Sequence, residues 1–216
     1  MPFDKVIRVE FSDHLDGNSV KRDRFKLFSG PLNLWVMSYY DPVRGQLSVW
    51  PSASMWKNAT WVLEISPGLR GLDGLPVEPV VVAEFRTGEE GGDNQPFPFL
   101  DYQQHLKPIF DGRCASCHND EGVAGISLSS AESVAATALG VPSTGWPEWN
   151  LITASRPGES YLIYKIIGDE RISGQPMPRS WDGKSPALPL HIEEQEAIVD
   201  WIAGGAAFFD QQDDAQ

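Results

Sequence analysis

The sequence predicts two domains, an all-β sandwich followed by a mostly α-helical unit, on three observations. Residues from about 5 to 88 carry short apolar–polar alternations divided by Pro, Gly and Asp turns, the pattern of half-buried strands at sandwich-like spacing. Glu89-Glu90-Gly91-Gly92-Asp93-Asn94-Gln95-Pro96 then interrupts the chain with a polar, glycine-containing break, the composition expected of a domain boundary. Beyond it, apolar residues recur at helical spacing. With 216 residues, 41% hydrophobic and 22% charged, the chain has the material for two ordinary domains.

The strands follow in order. Ile7, Val9 and Phe11 alternate with Arg8 and Glu10, as in a strand with one buried face. Phe25 and Leu27 alternate next. Leu34-Trp35-Val36-Met37-Ser38-Tyr39-Tyr40 reads as one strand, closed by Asp41-Pro42 and Gly45. Leu47 and Val49, stopped by Pro51, make another. Trp61, Leu63 and Ile65 alternate with Val62, Glu64 and Ser66, and Val80 to Phe85 makes the last. Trp35, Trp50, Trp56 and Trp61 read as core or edge aromatics, and His14 as a surface turn residue.

In the second half, Tyr102 to Arg113 suits a helix with Pro108 near its start. Ser130 to Leu139 is a short Ala-rich helix, opened by Ser and closed by Gly140. Ser160 to Ile167 carries Leu162, Ile163, Ile166 and Ile167 at helical spacing. Ile192 to Ala203 is the last helix, with Ile192, Ile198, Val199, Trp201 and Ile202 expected to face inward and Gly204-Gly205 ending it. Val141 to Asn150, with Trp146 and Trp149, reads as a loop packed onto the domain. The Asp/Gln-rich tail after Asp210 is expected to fray.

The chemistry concentrates in Cys114-Ala115-Ser116-Cys117-His118. Two thiols three positions apart with a histidine directly after them make the c-type haem attachment pattern. Each sulfur adds to one haem vinyl group, and the adjacent imidazole is then held under the iron as the proximal ligand. The competing readings are a redox dithiol and half of a zinc site. These are the chain's only two cysteines, so no second pair completes a tetrahedral zinc, and no βαβ pattern surrounds them as a thioredoxin-like dithiol would want. The expected cofactor is therefore one haem c, joined through Cys114 and Cys117, with His118 on the iron.

The sixth iron position has candidates in Met177, His105 and His191. Met177 lies in Gly174-Gln175-Pro176-Met177-Pro178, where prolines on both sides stiffen an extended loop, and His/Met ligation is the usual cytochrome c arrangement. Met177 is the expected ligand. His191 is the second choice, and His105 stands too close to the attachment motif to reach the opposite face.

Two resemblances follow from these residues. Arg8-Val9-Glu10-Phe11-Ser12, Gly45-Gln46-Leu47-Ser48-Val49, Asn58 to Ile65, Gly68-Leu69-Arg70-Gly71-Leu72-Asp73-Gly74 and Phe85-Arg86-Thr87-Gly88 are similar to the bacterial Ig-like domain of surface and exported proteins. Pro108 to His118, Arg156-Pro157-Gly158-Glu159-Ser160-Tyr161-Leu162, Met177-Pro178 and Ile198 to Ala206 resemble, in order, the class I-type cytochrome c domain of multidomain bacterial cytochromes, over about residues 99 to 209. The implied layout is an Ig-like sandwich at 1–90, a linker at 91–98 and a single-haem cytochrome c domain at 99–216. The second resemblance implies that Phe110 and Trp201 sit where the first and last helices cross beside the haem. One departure matters: that family often has a proline soon after the motif whose carbonyl accepts the ring N–H of the proximal histidine, and Asn119 to Leu128 contains none.

The expected function is an exported electron carrier, not an enzyme, with the Ig-like domain as spacer or docking module. The alternative is a haem enzyme or gas sensor with an open or labile sixth position. The net charge of −13 argues against nucleic acid and favours a basic or neutral redox partner protein. No apolar run is long enough to cross a membrane. Met1-Pro2-Phe3-Asp4-Lys5 begins without a charged and apolar leader, whereas bacteria attach haem covalently outside the cytoplasm. The expectation is a processed or trimmed form, or a late start codon, and a periplasmic or cell-surface location.

Overall fold

The computed structural model describes residues 2, 5–77, 82–92, 95–180 and 188–208. The chain divides into two compact units, Met1–Pro96 and Phe97–Gln216.

Seven strands are described in the first unit: β1 (Ile7–Glu10), β2 (Phe25–Ser29), β3 (Leu32–Leu34), β4 (Val36–Asp41), β5 (Gln46–Pro51), β6 (Thr60–Ile65) and β7 (Val82–Arg86). They form two antiparallel sheets, one in the order β1-β5-β4 and the other in the order β3-β2-β6-β7. Alternation decides which side of each strand is buried. Phe25, Leu27, Leu63 and Ile65 turn inward from β2 and β6, where Leu27 is registered against Leu63. Val36, Tyr40, Leu47 and Val49 meet them from the other sheet in one apolar core. The solvent face carries pairs such as Lys26 and Glu64, 3.0 Å apart.

The run Leu34 to Tyr40 is not one strand. β3 pairs with β2 in one sheet and β4 with β5 in the other, so the chain changes sheets at Trp35, which is 71% exposed with the Arg22 guanidinium 4.8 Å above its ring. Continuous β propensity hides this corner, because a cation–π contact stabilises an aromatic outside the core as well as burial does inside it. Of the strand expected over Val80 to Phe85, residues 80 and 81 lie outside the described residues, as does the tail after Asp210.

In the second unit, the described α-helices are α1 (Lys107–Arg113), α2 (Ala131–Thr137), α3 (Tyr161–Ile167) and α4 (Ile192–Ala203). A wide π-helical turn, Tyr102–Leu106, leads into α1, and Lys107 N–H donates to the Tyr102 carbonyl. The wide turn lies just ahead of Pro108, which has no N–H to give to a carbonyl in the turn before it. Ser130 caps α2 by accepting from Ser133 N–H at 3.1 Å. Gly168, at φ 72°, closes α3 in the left-handed conformation.

The expected fold class, a β-sandwich followed by a mostly α-helical cytochrome c fold, is corrected here. The molecule is a mixed chain with 26% helix and 23% strand, two β-sheets and few helices. Among the described helices of the second unit only α4, with twelve residues, exceeds seven. The cause lies in the connections. Between α2 and α3 the chain closes isolated bridges, Leu139–Ile152, Pro142–Asn150 and Asn150–Ser160. Gly168, with positive φ, ends α3. The short helices stand close to where their apolar spacing put them, and the long connections between them are not helical.

Candidate functional site

α1 delivers the cysteine motif. Its last turn does not stop at Arg113, because Cys114 N–H and Ala115 N–H both donate to the Phe110 carbonyl, at 2.9 and 2.8 Å. Cys117 N–H and His118 N–H then both donate to the Cys114 carbonyl, at 3.1 and 2.9 Å. The five residues are one hydrogen-bonded turn continuing the helix. Both cysteines are free thiols, Cys114 half-buried and Cys117 exposed. Burial pushes the Cys114 thiol up to about 12, opposed by the positive charge of Arg113 and assisted by Glu194.

His118 is half-buried, and its Nδ1 is turned inward with no hydrogen-bond partner among the described residues. That leaves Nε2 as the ring nitrogen for a metal. The donor set therefore fits a covalently bound haem c: two reduced thiols within one turn and a neighbouring imidazole with one nitrogen committed inward. No acceptor for Nδ1 stands among the described residues, whereas ligating histidines ordinarily donate their second N–H.

Arg113 ties this turn to α4. Its guanidinium donates to the Leu188 and Pro189 carbonyls at 3.0 and 2.6 Å and lies 3.7 Å from the Glu194 carboxylate. Phe110 and Trp201 do meet, edge to face, with ring centroids 6.1 Å apart. Two residues that the sequence did not single out complete the crossing. Tyr102 lies 6.1 Å from Phe110 and 5.8 Å from Trp201, and Phe208 lies 5.0 Å from Tyr102 and 5.6 Å from Trp201. The Tyr102 hydroxyl is buried with no hydrogen-bond partner among the described residues, and burial, then Asp111 and Glu132, push its pKa up to about 12.

Asp120 orders the loop after the motif by another route, without reaching the His118 ring. Its Oδ1 accepts from the hydroxyls of Ser129, Ser127 and Ser133, at 2.7, 2.9 and 3.1 Å. These bonds hold its carboxyl below the usual range. The loop returns to the motif where Leu128 N–H donates to the His118 carbonyl at 2.7 Å. Gly122 is required inside it, because an added Cβ would collide with the carbonyls of Ile126 and Asn119.

Met177 is half-buried on a loop fastened to α3, its N–H donating to the Lys165 carbonyl at 2.8 Å. The Lys165 ammonium is held below its ordinary value by burial and then by Arg179. His105 is exposed and its Nδ1 lies 3.1 Å from Asp101 N. His191 is exposed at the start of α4, where its N–H donates to Glu194 at 2.8 Å. His14 is half-buried, 3.4 Å from the Tyr40 hydroxyl. Ile192 does not face inward: it is half exposed, because the first turn of α4 projects past the aromatic crossing. Asp169 is buried and held by Arg171 through contacts of 2.8 and 2.7 Å. Trp146 and Trp149 stack at 4.7 Å and pack edge-on against Tyr164.

Among the described residues, no three His, Cys, Asp or Glu side chains gather as a metal-binding group, and no helix is long and apolar enough to cross a membrane. No protein-family model matches the chain, and no curated protein matches its sequence. Solved structures that are similar to part of it come from bacterial S-layers. The N-terminal part of the bacterial S-layer protein SbsC is 16% identical with a TM-score of 0.35, over 40% of this chain and 21% of that one. Domains 1–6 of surface layer protein SbsC are 15% identical with the same TM-score, over 40% of this chain and 12% of theirs.

Proposed function

We propose that the chain is an exported single-haem electron carrier. Cys114 and Cys117 would hold a haem c by thioethers, and His118 and Met177 would give its iron a nitrogen and a sulfur ligand. The observation that carries the reading is the Cys114–His118 turn: two free thiols in one hydrogen-bonded turn, with Nδ1 of the next residue directed inward. Haem c, when bound, supplies a one-electron ferric–ferrous couple.

The chain's own residues supply the rest. The Phe110 carbonyl fixes the turn, Arg113 joins it to α4, and the Tyr102–Phe110–Trp201 crossing gives that junction a rigid support. Asp120 closes the loop behind His118. A thioether in the second axial position raises the potential relative to a second imidazole. With His118 and Met177 both bound to the iron, no coordination position would be left for a substrate, which would separate a carrier from an enzyme or gas sensor. The net charge of −13 suits a neutral or basic redox partner protein met through salt-sensitive steering, with the first unit as spacer or docking module. Because bacteria attach haem covalently outside the cytoplasm, this reading goes with a location in the periplasm or at the cell surface.

The test is export of the full chain alongside a haem-attachment system, with mass and optical spectra of the purified protein. The unaltered chain is expected to carry one covalent haem with a low-spin spectrum and slow carbon monoxide binding when reduced. Cys114→Ala combined with Cys117→Ala is expected to abolish covalent haem. A double variant that still carries it overturns the reading.

A further inference from the structure

The loop that carries Met177 is held to α3 from three directions. Lys165 uses both of its ends: its carbonyl accepts Met177 N–H at 2.8 Å, and its ammonium donates to the carbonyl of Ser173 at 3.0 Å and to that of Gln175. One turn earlier, the Tyr161 hydroxyl accepts Ser173 N–H at 2.9 Å. One turn later, Pro176 lies over Gly168, its Cβ and Cγ within van der Waals reach, 3.5 Å from where an added Cβ would stand. Tyr161, Lys165 and Gly168 are spaced four and three residues apart along one helix, so a single helix face is used. Neither lysine nor tyrosine has another assigned role in the haem reading.

Resting on that reading, we propose that Lys165 is the positioning residue for the sixth ligand: it clasps residues 173 to 177 against α3 and so fixes where the Met177 thioether stands. The argument is one of geometry and entropy. A methionine side chain has three rotatable bonds and little preference of its own, and Gly174 gives the loop a point of backbone freedom that the prolines at 176 and 178 do not remove. Two carbonyls caught by one ammonium, with the backbone of that same residue catching the methionine N–H, remove that freedom before any metal arrives. Pre-ordering a ligand in this way raises its effective concentration at the iron. Without the clasp the thioether is present but seldom in place, and the sixth position opens to outside ligands.

The experiment uses the full exported, haem-loaded chain. Its readouts are covalent haem by mass, the weak red band of sulfur-to-ferric-iron ligation, and the rate of carbon monoxide binding to the reduced protein. Lys165→Met keeps the stem and removes the donors. It is expected to leave covalent haem intact, to weaken or abolish the red band and to speed carbon monoxide binding about tenfold, the size of effect expected for one or two lost hydrogen bonds. Lys165→Arg, which restores donors, is expected to recover the band. Tyr161→Phe removes only the acceptor of Ser173 N–H and is expected to shift both readouts in the same direction by less, which keeps the test informative if Lys165→Met folds poorly. An unaltered chain without covalent haem overturns the haem reading itself. A haem-loaded chain lacking the red band overturns Met177 as ligand and this proposal with it. A red band and carbon monoxide rate unchanged in Lys165→Met and Tyr161→Phe overturn the clasp alone.

Discussion

Asp120, two positions after His118, is the residue that a reading of the motif leaves out. Its carboxylate accepts from the hydroxyls of Ser129, Ser127 and Ser133 and its pKa is held down by them. For a carboxyl lowered in the folded state, the stability it contributes is present above its unfolded value and is lost as pH falls through the folded one. The loop behind His118 is therefore expected to loosen on the acid side, below the ordinary aspartate range. The protection factor of the Leu128 amide, whose N–H is bonded to the His118 carbonyl, should fall as pH falls through that range once the intrinsic rate is corrected for, and Asp120→Asn should show the low protection already at neutral pH. Equal exchange in both proteins at every pH would assign the loop's order to something else. Nothing in the sequence separates Asp120 from an ordinary polar loop residue, because its partners lie seven, nine and thirteen positions away. The cysteines and His118 were legible because their chemistry is local: thioether attachment and proximal ligation need adjacent residues.

At the scale of elements, helix and strand positions followed from periodicity, while lengths and sheet membership did not. α4 runs over Ile192–Ala203 as its apolar spacing predicts, and β2 and β6 alternate as read. Sheet exchange at Trp35 escaped notice because alternation is local and pairing is not. The same limit hid Tyr102. It begins the wide turn before α1, yet its ring meets both Phe110 and Trp201, from segments about a hundred residues apart. Its hydroxyl is the weak point of this crossing, buried with no hydrogen-bond partner among the described residues. An unsatisfied buried hydroxyl costs about 1–3 kcal/mol. Tyr102→Phe keeps the ring contacts and removes that cost, so it is expected to stabilise the second unit by about 1 kcal/mol, seen as a melting temperature raised by a few degrees. Phe110→Ala should do the reverse by about 3–5 kcal/mol, since it empties the centre of the crossing. A Tyr102→Phe variant that melts lower than its parent would mean that the hydroxyl is in fact satisfied.

The whole molecule joins two units that owe their stability to different things. The first closes two sheets over an apolar core around Leu27, Leu63 and Trp61. The second relies on short helices, an aromatic crossing and many side-chain-to-backbone bonds in its loops, and in the proposed function it also gains from a covalently held ligand. A covalently held haem stays on the unfolded chain, but its burial and its iron ligands would be gained only in the folded second unit, so only that unit's unfolding would shift. Haem loading should therefore raise the melting of the second unit and leave that of the first in place. Calorimetry of the full chain is expected to show two transitions, because each unit is built around its own core. Leu63→Ala, at a fully buried position of the first core, should lower one of them by about 2–5 kcal/mol in stability, while comparison of the haem-loaded chain with the Cys114→Ala, Cys117→Ala variant should move the other. If Leu63→Ala and haem loss shift one common transition, the two units unfold as one, and a spacer role for the first unit gives way to one in which it helps to stabilise the haem-bearing fold.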